Sequence, residues 1–84
     1  MKVTLKLFAS LSTYLPLEAR TSLRVDLELE PGSSVADLIR RQGVPEGQCA
    51  IVLRDGVWVA PAERASLLLE EGSVLAIWPP VAGG

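Results

Sequence analysis

The sequence contains no histidine and a single cysteine among its 84 residues. Without histidine, the chain lacks the usual proton shuttle near neutral pH and the commonest metal ligand in proteins. With Cys49 alone it cannot form an internal disulfide, so packing must stabilise the fold. These absences exclude many classes of enzyme, and we predict no metal site.

Long apolar runs and blocks of like charge are also missing. No apolar run approaches the roughly 20 residues of a membrane span, and the N-terminus alternates polar with apolar residues instead of forming a signal-peptide core. Eight Lys and Arg residues oppose 10 Asp and Glu residues for a net charge of −2, and the basic residues are scattered. We expect a cytoplasmic protein that binds neither nucleic acid nor membranes.

The reactive side chains that are present do not suggest an active site. Cys49 lies in an apolar run, where burial as a small hydrophobic side chain is favoured over a reactive thiol because no histidine can activate it. Asp26, Glu28 and Glu30 alternate with apolar residues, which puts all three on the solvent face of a strand. The glycines lack the spacing of a phosphate-binding loop. We therefore predict no independent catalytic site.

Alternating apolar and polar residues predict two half-buried strands in the first part of the chain, at 2–7 and 22–30. Between them the apolar spacing changes to that of a helix at 10–15. Ser10 is a candidate cap for this short helix, and Pro16 would end it.

The middle of the chain predicts the main helix. Pro31-Gly32 breaks the second strand, and Ser34 followed by Asp37 has the spacing of a capping box. Apolar residues at helical spacing follow, and Gly43 marks the end of the helix, with Pro45 as a further stop.

The last part of the chain predicts a hairpin and a final strand. Apolar runs at 48–53 and 57–59 flank Asp55-Gly56, a dipeptide that tolerates the positive φ angles of a tight turn. The stretch 62–69 fits either a helical turn or a loop. After a turn, residues 74–78 form a continuous apolar run, as in a strand inside a sheet.

This order of elements predicts one α+β domain over residues 1–80, since a second core would be too small to be stable. One main helix packed across one face of a mixed sheet buries both apolar stripes. The order is that of the ubiquitin-like β-grasp fold.

Residues 81–84 are predicted to form an extended tail. Pro79-Pro80 cannot continue a strand and favours an extended path away from the fold. The chain then ends in Gly83-Gly84. Glycine has no Cβ, so these two residues can enter a channel too narrow for a side chain, where an enzyme reaches the terminal carboxylate. The alternative is a plain binding module with an incidental Gly-Gly end.

Strand parity predicts a partner surface beside the tail. If the apolar residues of the first and last strands face the core, then Phe8 and Trp78 face outward, and Trp58 lies opposite its neighbours Val57 and Val59. Three such aromatic residues would form an exposed apolar patch. The alternative is that some of them belong to the core.

Four segments of the chain resemble the MoaD/ThiS sulfur-carrier family. They are Leu7-Phe8-Ala9, Ser34-Val35-Ala36-Asp37-Leu38, Leu69-Glu70-Glu71-Gly72 and Ile77-Trp78-Pro79-Pro80-Val81-Ala82-Gly83-Gly84. The last of these is specific, and it is most similar to the molybdopterin synthase small-subunit (MoaD) branch. Residues 12–22 depart from the usual family pattern.

This resemblance implies a mechanism based on the tail. A free carboxylate is a poor electrophile, so an ATP-dependent, MoeB-like adenylating enzyme converts the carboxylate of Gly84 to an acyl-adenylate. Sulfide from a cysteine-desulfurase route then gives a thiocarboxylate. In the molybdopterin branch a MoaE-like large subunit takes up the tail, including Gly83, for sulfur transfer to a pyranopterin precursor. The chain itself is expected to bind no cofactor, and Pro79, Pro80, Val81 and Ala82 are expected to contact the partners.

Two other functions remain open. A carrier of this kind also suits the synthesis of the thiamine thiazole, cysteine or a tRNA thionucleotide. A ubiquitin-like protein modifier would instead form an isopeptide bond with a target lysine. Its ability to build chains would be limited, since Lys2 and Lys6 are the only lysines.

Overall fold

The structure is a computed structural model that describes residues 1–81. Its strands and helix are β1 (Lys2–Leu7), β2 (Arg24–Glu28), α1 (Val35–Arg41), β3 (Ile51–Arg54), β4 (Val57–Trp58) and β5 (Val74–Trp78). Short 3-10 helices occupy Ala9–Tyr14, Leu17–Ala19, Glu46–Gln48 and Pro61–Glu63. Within this described part, no helix combines the length and the apolar character that crossing a membrane requires.

The strands form one mixed sheet in the order β2-β1-β5-β3-β4. β1 and β5 run parallel, and the other neighbouring pairs are antiparallel. β5 therefore lies in the centre of the sheet, which explains its continuous apolar sequence. The mixed sheet with one main helix confirms the predicted α+β architecture.

One face of the sheet and α1 together form the core. The inward side chains of β1 and β5 are almost fully buried, with Leu5, Leu7, Leu75 and Ile77 all at 0% exposure. Leu38 of α1 is also at 0% and packs in the same cluster. The predicted strand parity is confirmed for both central strands.

A capping box fixes the start of α1, as predicted. The Ser34 hydroxyl oxygen accepts the Asp37 N–H at 3.1 Å, and Asp37 Oδ2 accepts the Ser34 N–H at 2.9 Å. The hydrogen bond donated by the Ser34 backbone N–H is the main cause that holds the pKa of the Asp37 carboxyl below its usual value, and the Ser34 side chain and the Arg40 guanidinium lower it further. The helix ends at Arg41, and Gly43 follows with φ of +74°.

The predicted hairpin is also present. Asp55 and Gly56 have φ of +51° and +83°, the positive angles that a two-residue turn between antiparallel strands requires. β3 begins later than the apolar run at 48–53 indicated, because Glu46–Gln48 forms a 3-10 turn before it.

The segments around β2 correct two predictions. The short helix is a 3-10 helix that starts at Ala9, and Ser10 does not cap it: Phe8 is the N-cap residue, and it makes no side-chain cap bond. The strand predicted at 22–30 starts only at Arg24, because Leu23 adopts a φ of +63°. Its N–H donates to the Ala19 carbonyl, so Leu23 closes a turn, while its carbonyl still accepts the Leu7 N–H of β1 at 3.1 Å.

Candidate functional site

The tail leaves the sheet at the C-terminal end of β5. The Trp78 carbonyl accepts the Ala50 N–H at 3.0 Å. Pro79 and Pro80 follow, and neither has an N–H that could extend the ladder. Val81 is 78% exposed, so the chain has reached solvent at that point. Ala82, Gly83 and Gly84, on which the predicted chemistry depends, lie outside the described residues.

Phe8 and Trp78 stack on each other beside this exit. Their ring centroids are 4.4 Å apart and the ring planes differ by 7°. The parallel register pairs Leu7 with Ile77, and the Phe8 N–H donates to the Ile77 carbonyl at 3.1 Å. Phe8 therefore continues β1 beside Trp78, on the face opposite the helix. Because each ring covers part of the other, both side chains are half-buried.

Aliphatic side chains extend this stack across the open face of the sheet. Ile51 pairs with Trp78, and Leu53 pairs with Trp58 across the hairpin. Ile51 is 45% exposed and Trp58 is 57% exposed. We call these five residues, Phe8, Trp78, Ile51, Leu53 and Trp58, the apolar patch.

The three aromatic residues predicted from parity thus share one face, and Trp58 lies at its far margin. Parity fails for one neighbour of Trp58. Val59 is buried at 2%, as expected, whereas Val57 is 66% exposed. β4 is a two-residue edge strand, so its inner side extends beyond the cover of the core.

Two basic residues border the apolar patch, and they are not among the site residues that the sequence predicted. Lys6 on β1 lies directly opposite Arg24 on β2. Each lies on the polar side of an alternating pattern, and this position was the sequence signal that could have placed both residues on the open face. Only the strand register, however, shows that they face each other.

Cys49 is not positioned to act as a nucleophile. It is 4% exposed, and its thiol donates to the Pro45 carbonyl at 3.6 Å. Burial raises the pKa of the Cys49 thiol, an effect that the charge of Arg64 opposes in part. The thiol is therefore held in its protonated, unreactive form, in agreement with its predicted structural role.

The described chain also has a cleft on its helix side, beside α1. Residues 1–81 contain no cluster of three or more potential metal ligands. A cleft of about 210 Å³ lies along α1, lined by Ala36, Ile39, Arg40, Val44 and Glu46. The guanidinium of Arg40 in this lining forms an ion pair with the Asp37 carboxylate, with Nη1 and Oδ1 3.3 Å apart. The exit of the chain at Val81 and the apolar patch beside it are therefore the features on which the candidate site rests.

Comparison with known families identifies the family to which this chain belongs. The model of the ThiS family matches residues 5–84, nearly the whole chain including the tail. The chain belongs to the ThiS family. A comparison with curated protein sequences gives no match.

Solved structures support the ThiS family assignment at the level of the fold. SAMP1 from Haloferax volcanii is 26% identical over 100% of both chains, with a TM-score of 0.67. The putative molybdopterin converting factor subunit 1 from Pyrococcus furiosus is 22% identical, covering 96% of this chain and 99% of that one, with a TM-score of 0.70. Subunits 1 and 2 of the molybdopterin-converting factor from Helicobacter pylori were solved as a complex, and the match there is 16% identical over 100% of both chains, with a TM-score of 0.59.

These comparisons confirm the resemblance to the MoaD/ThiS family and the ubiquitin-like β-grasp fold. The protein is thus a member of a family of sulfur carriers and ubiquitin-like proteins. In this ThiS family member the chain reaches solvent at Val81, beside the open face of the sheet.

Proposed function

We propose that this chain is a sulfur carrier whose Gly84 carboxylate is adenylated and then converted to a thiocarboxylate. We further propose that it donates this sulfur in molybdopterin biosynthesis, as the small subunit of molybdopterin synthase. The observation that carries the proposal is the position of the exit: the chain leaves the sheet beside the Phe8–Trp78 stack and reaches solvent at Val81.

The chemistry requires two steps at the terminal carbonyl carbon. A carboxylate oxygen of Gly84 attacks the α-phosphorus of ATP, and pyrophosphate leaves. A sulfur nucleophile then attacks the acyl carbon, AMP leaves, and the terminus becomes a thiocarboxylate. The partners supply both ATP and sulfur. The described side chains include no activated nucleophile that could carry the sulfur, since the Cys49 thiol is buried and protonated.

The chain's own contribution is to position the tail and to offer a surface for docking. Pro79 and Pro80 direct the tail outward without a hydrogen-bond ladder. The apolar patch supplies aromatic anchors of the kind that dominate protein interfaces. A partner that covers Phe8 and Trp78 would have the start of the tail at its own surface.

Two partners follow from this scheme. The adenylation step calls for a MoeB-like enzyme that binds ATP. Sulfur transfer calls for a MoaE-like large subunit, and the H. pylori neighbour, solved with its second subunit, supports an assembly of this kind. The molybdopterin branch is preferred because the Pro79-Pro80-Val81-Ala82-Gly83-Gly84 ending is most similar to that branch.

Intact-mass spectrometry tests the carrier chemistry directly. The purified chain is incubated with the adenylating enzyme of its source organism, ATP and a sulfur donor. We expect one terminal oxygen to be replaced by sulfur, and removal of Gly84 to abolish the change. Molybdopterin formation after addition of the large subunit and the pyranopterin precursor would identify the branch.

A Cys49→Ser variant is the control for sulfur attached elsewhere. If the variant gains the same mass as the parent, the sulfur is at the terminus. Sulfur lost with Cys49 and retained without Gly84 would refute the proposal.

A protein modifier is the second candidate, because SAMP1, a small archaeal modifier protein by name, matches this chain at 26% identity over its full length. This function predicts covalent conjugates in cell extract that are joined through Gly84 to a lysine of the target. Their absence under conditions where the thiocarboxylate forms would leave the carrier function alone.

A further inference from the structure

Lys6 and Arg24 form a like-charge pair on the open face of the sheet. They are directly opposite each other in the antiparallel register of β1 and β2. Cβ atoms in such positions lie about 4.5–5.5 Å apart, and like charges there destabilise the sheet. A pair of this kind therefore needs a reason beyond folding.

The surrounding carboxylates leave this pair poorly neutralised. Within residues 1–81, Lys6 has no ion-pair partner, and the carboxylate near Arg24 is Asp26, at 4.0 Å. The same Asp26 oxygen already accepts the Thr4 hydroxyl at 2.7 Å. The Arg24 side chain is 54% exposed. The positive charges of Lys6 and Arg24 are thus poorly neutralised at this point of the open face.

The pair directly borders the apolar patch. On its other side Lys6 pairs with Ala76 of β5, and Phe8 follows two residues along on the same face. The two cations therefore lie at the same end of the sheet as the Phe8–Trp78 stack and the exit of the tail.

We propose that Lys6 and Arg24 bind carboxylates on an acidic surface of a partner protein that also covers Phe8 and Trp78. This inference rests on the proposed carrier function, in which the tail must enter a partner. It predicts that the partner surface is negatively charged where it faces the β2 side of the apolar patch.

A protein fits this site better than a polyanion does. Exposed carboxylates of Asp26 and Glu28 follow Arg24 along the same edge strand, and the whole chain carries a net charge of −2. A nucleic acid or an anionic membrane would meet those carboxylates. A protein can instead place a few carboxylates at the pair and an apolar surface beside them. Charges at the rim of an interface mainly change the rate of association and its dependence on salt.

The test compares two double variants that remove the same charge. Lys6→Gln with Arg24→Gln removes the pair, whereas Lys2→Gln with Arg40→Gln removes two exposed cations outside it. Stopped-flow measurements give the association rate constant with the purified adenylating enzyme of the source organism, at low and high salt. We expect the first variant to associate about tenfold more slowly at low salt, with a weaker salt dependence, and the second to behave like the parent.

Equal slowing of both variants would show an effect of net charge alone and would overturn the inference. So would an unchanged rate for the first variant. One further outcome would assign the pair to a polyanion instead. In that outcome the parent binds a single-stranded oligonucleotide or phosphatidylserine vesicles more tightly than the first variant does, and its association rate with the enzyme does not depend on the enzyme's carboxylates.

Intact mass separates this inference from the proposed function. At saturating enzyme the first variant should still reach full thiocarboxylation, because the tail is unchanged. A parent that binds the enzyme without gaining sulfur would refute the carrier function alone. A parent that gains sulfur while both variants associate at its rate would refute the docking inference alone, and a parent that does not bind would refute both.

Discussion

The two faces of the sheet differ in both composition and exposure. On the helix side, Leu5 and Leu75 are branched aliphatic residues at 0% exposure. On the open side, the aromatic residues Phe8 and Trp78 are half-buried and Trp58 is 57% exposed. The first face is already completed by α1, whereas the second leaves apolar area in contact with water.

This difference separates stability from recognition in a chain of 84 residues. Aliphatic side chains that fill a core contribute mainly to the free energy of unfolding. Aromatic side chains on an open face keep rigid contact area for a partner at low entropic cost. Mutations on the two faces should therefore affect different measurements.

The largest expected effect is a loss of stability on the helix side. Leu75→Ala removes a fully buried side chain from the central strand and should lower the free energy of unfolding by about 2–5 kcal/mol. Urea unfolding followed by circular dichroism measures this change. If Leu75→Ala lowered the free energy of unfolding by less than a variant on the open face, the assignment of the two faces would be wrong.

Arg64 offers a test of opposite sign on the buried side. It is 4% exposed, and its Nε and Nη2 atoms have no hydrogen-bond partner among residues 1–81. Replacing a buried charge by an apolar side chain of similar length often stabilises a protein, so Arg64→Met should raise the free energy of unfolding by about 1–3 kcal/mol. Thermal and urea unfolding measure the gain. A marked loss would mean that the guanidinium has a stabilising partner.

A smaller stability effect is expected on the open face. Trp78→Ala removes the stack with Phe8, and stacked aromatic pairs contribute about 0.5–1.5 kcal/mol beyond their buried area. We expect a total loss of about 1–2 kcal/mol. Affinity for the adenylating enzyme, measured by calorimetry, should fall by more than tenfold. Trp58→Ala serves as the matched control at the far margin, and it should change both quantities less. A Trp78 variant that unfolds would place this residue in the core.

The smallest effect concerns the cap of α1 and depends on pH. The pKa of Asp37 is lower in the folded chain than in the unfolded chain, so its ionised form stabilises the fold above about pH 4. This stability is lost as the pH falls through the folded value. Asp37→Asn should remove that part of the acid dependence of urea unfolding. An unchanged pH profile would show that the cap does not depend on charge.

Much of the fold was predictable, because it depends on local patterns. Alternation identified the inward side of β1, and the Ser34–Asp37 spacing identified the start of α1. The Asp55-Gly56 turn likewise identified the hairpin. Each of these signals lies within a few residues of the structure that it specifies.

The corrections arise where tertiary context overrides local pattern. The alternation of 22–30 includes Leu23, yet its φ of +63° delays the start of β2 to Arg24. A left-handed conformation costs about 1–2 kcal/mol in a non-glycine residue, and no sequence pattern signals it. The Ala9–Tyr14 segment had helical spacing, but six residues between two strands adopted the tighter 3-10 form.

The aromatic residues of the candidate site were predictable from the sequence, whereas their arrangement and the basic residues beside them were not. Parity put Phe8 and Trp78 on the open face, but their stack depends on the parallel register of β1 and β5, which joins opposite ends of the chain. The pairing of Lys6 with Arg24 depends in the same way on the register of β1 and β2. Register is a long-range property, and a single sequence specifies it only weakly.

The central position of β5 also governs how the protein is made. β1 is synthesised before β5, its parallel neighbour, and β3, which is also made before β5, needs the same strand on its other side. A nascent chain that stops before β5 cannot close its sheet. A chain that has been synthesised only as far as β4 thus holds β1 and β3 without the strand that joins them.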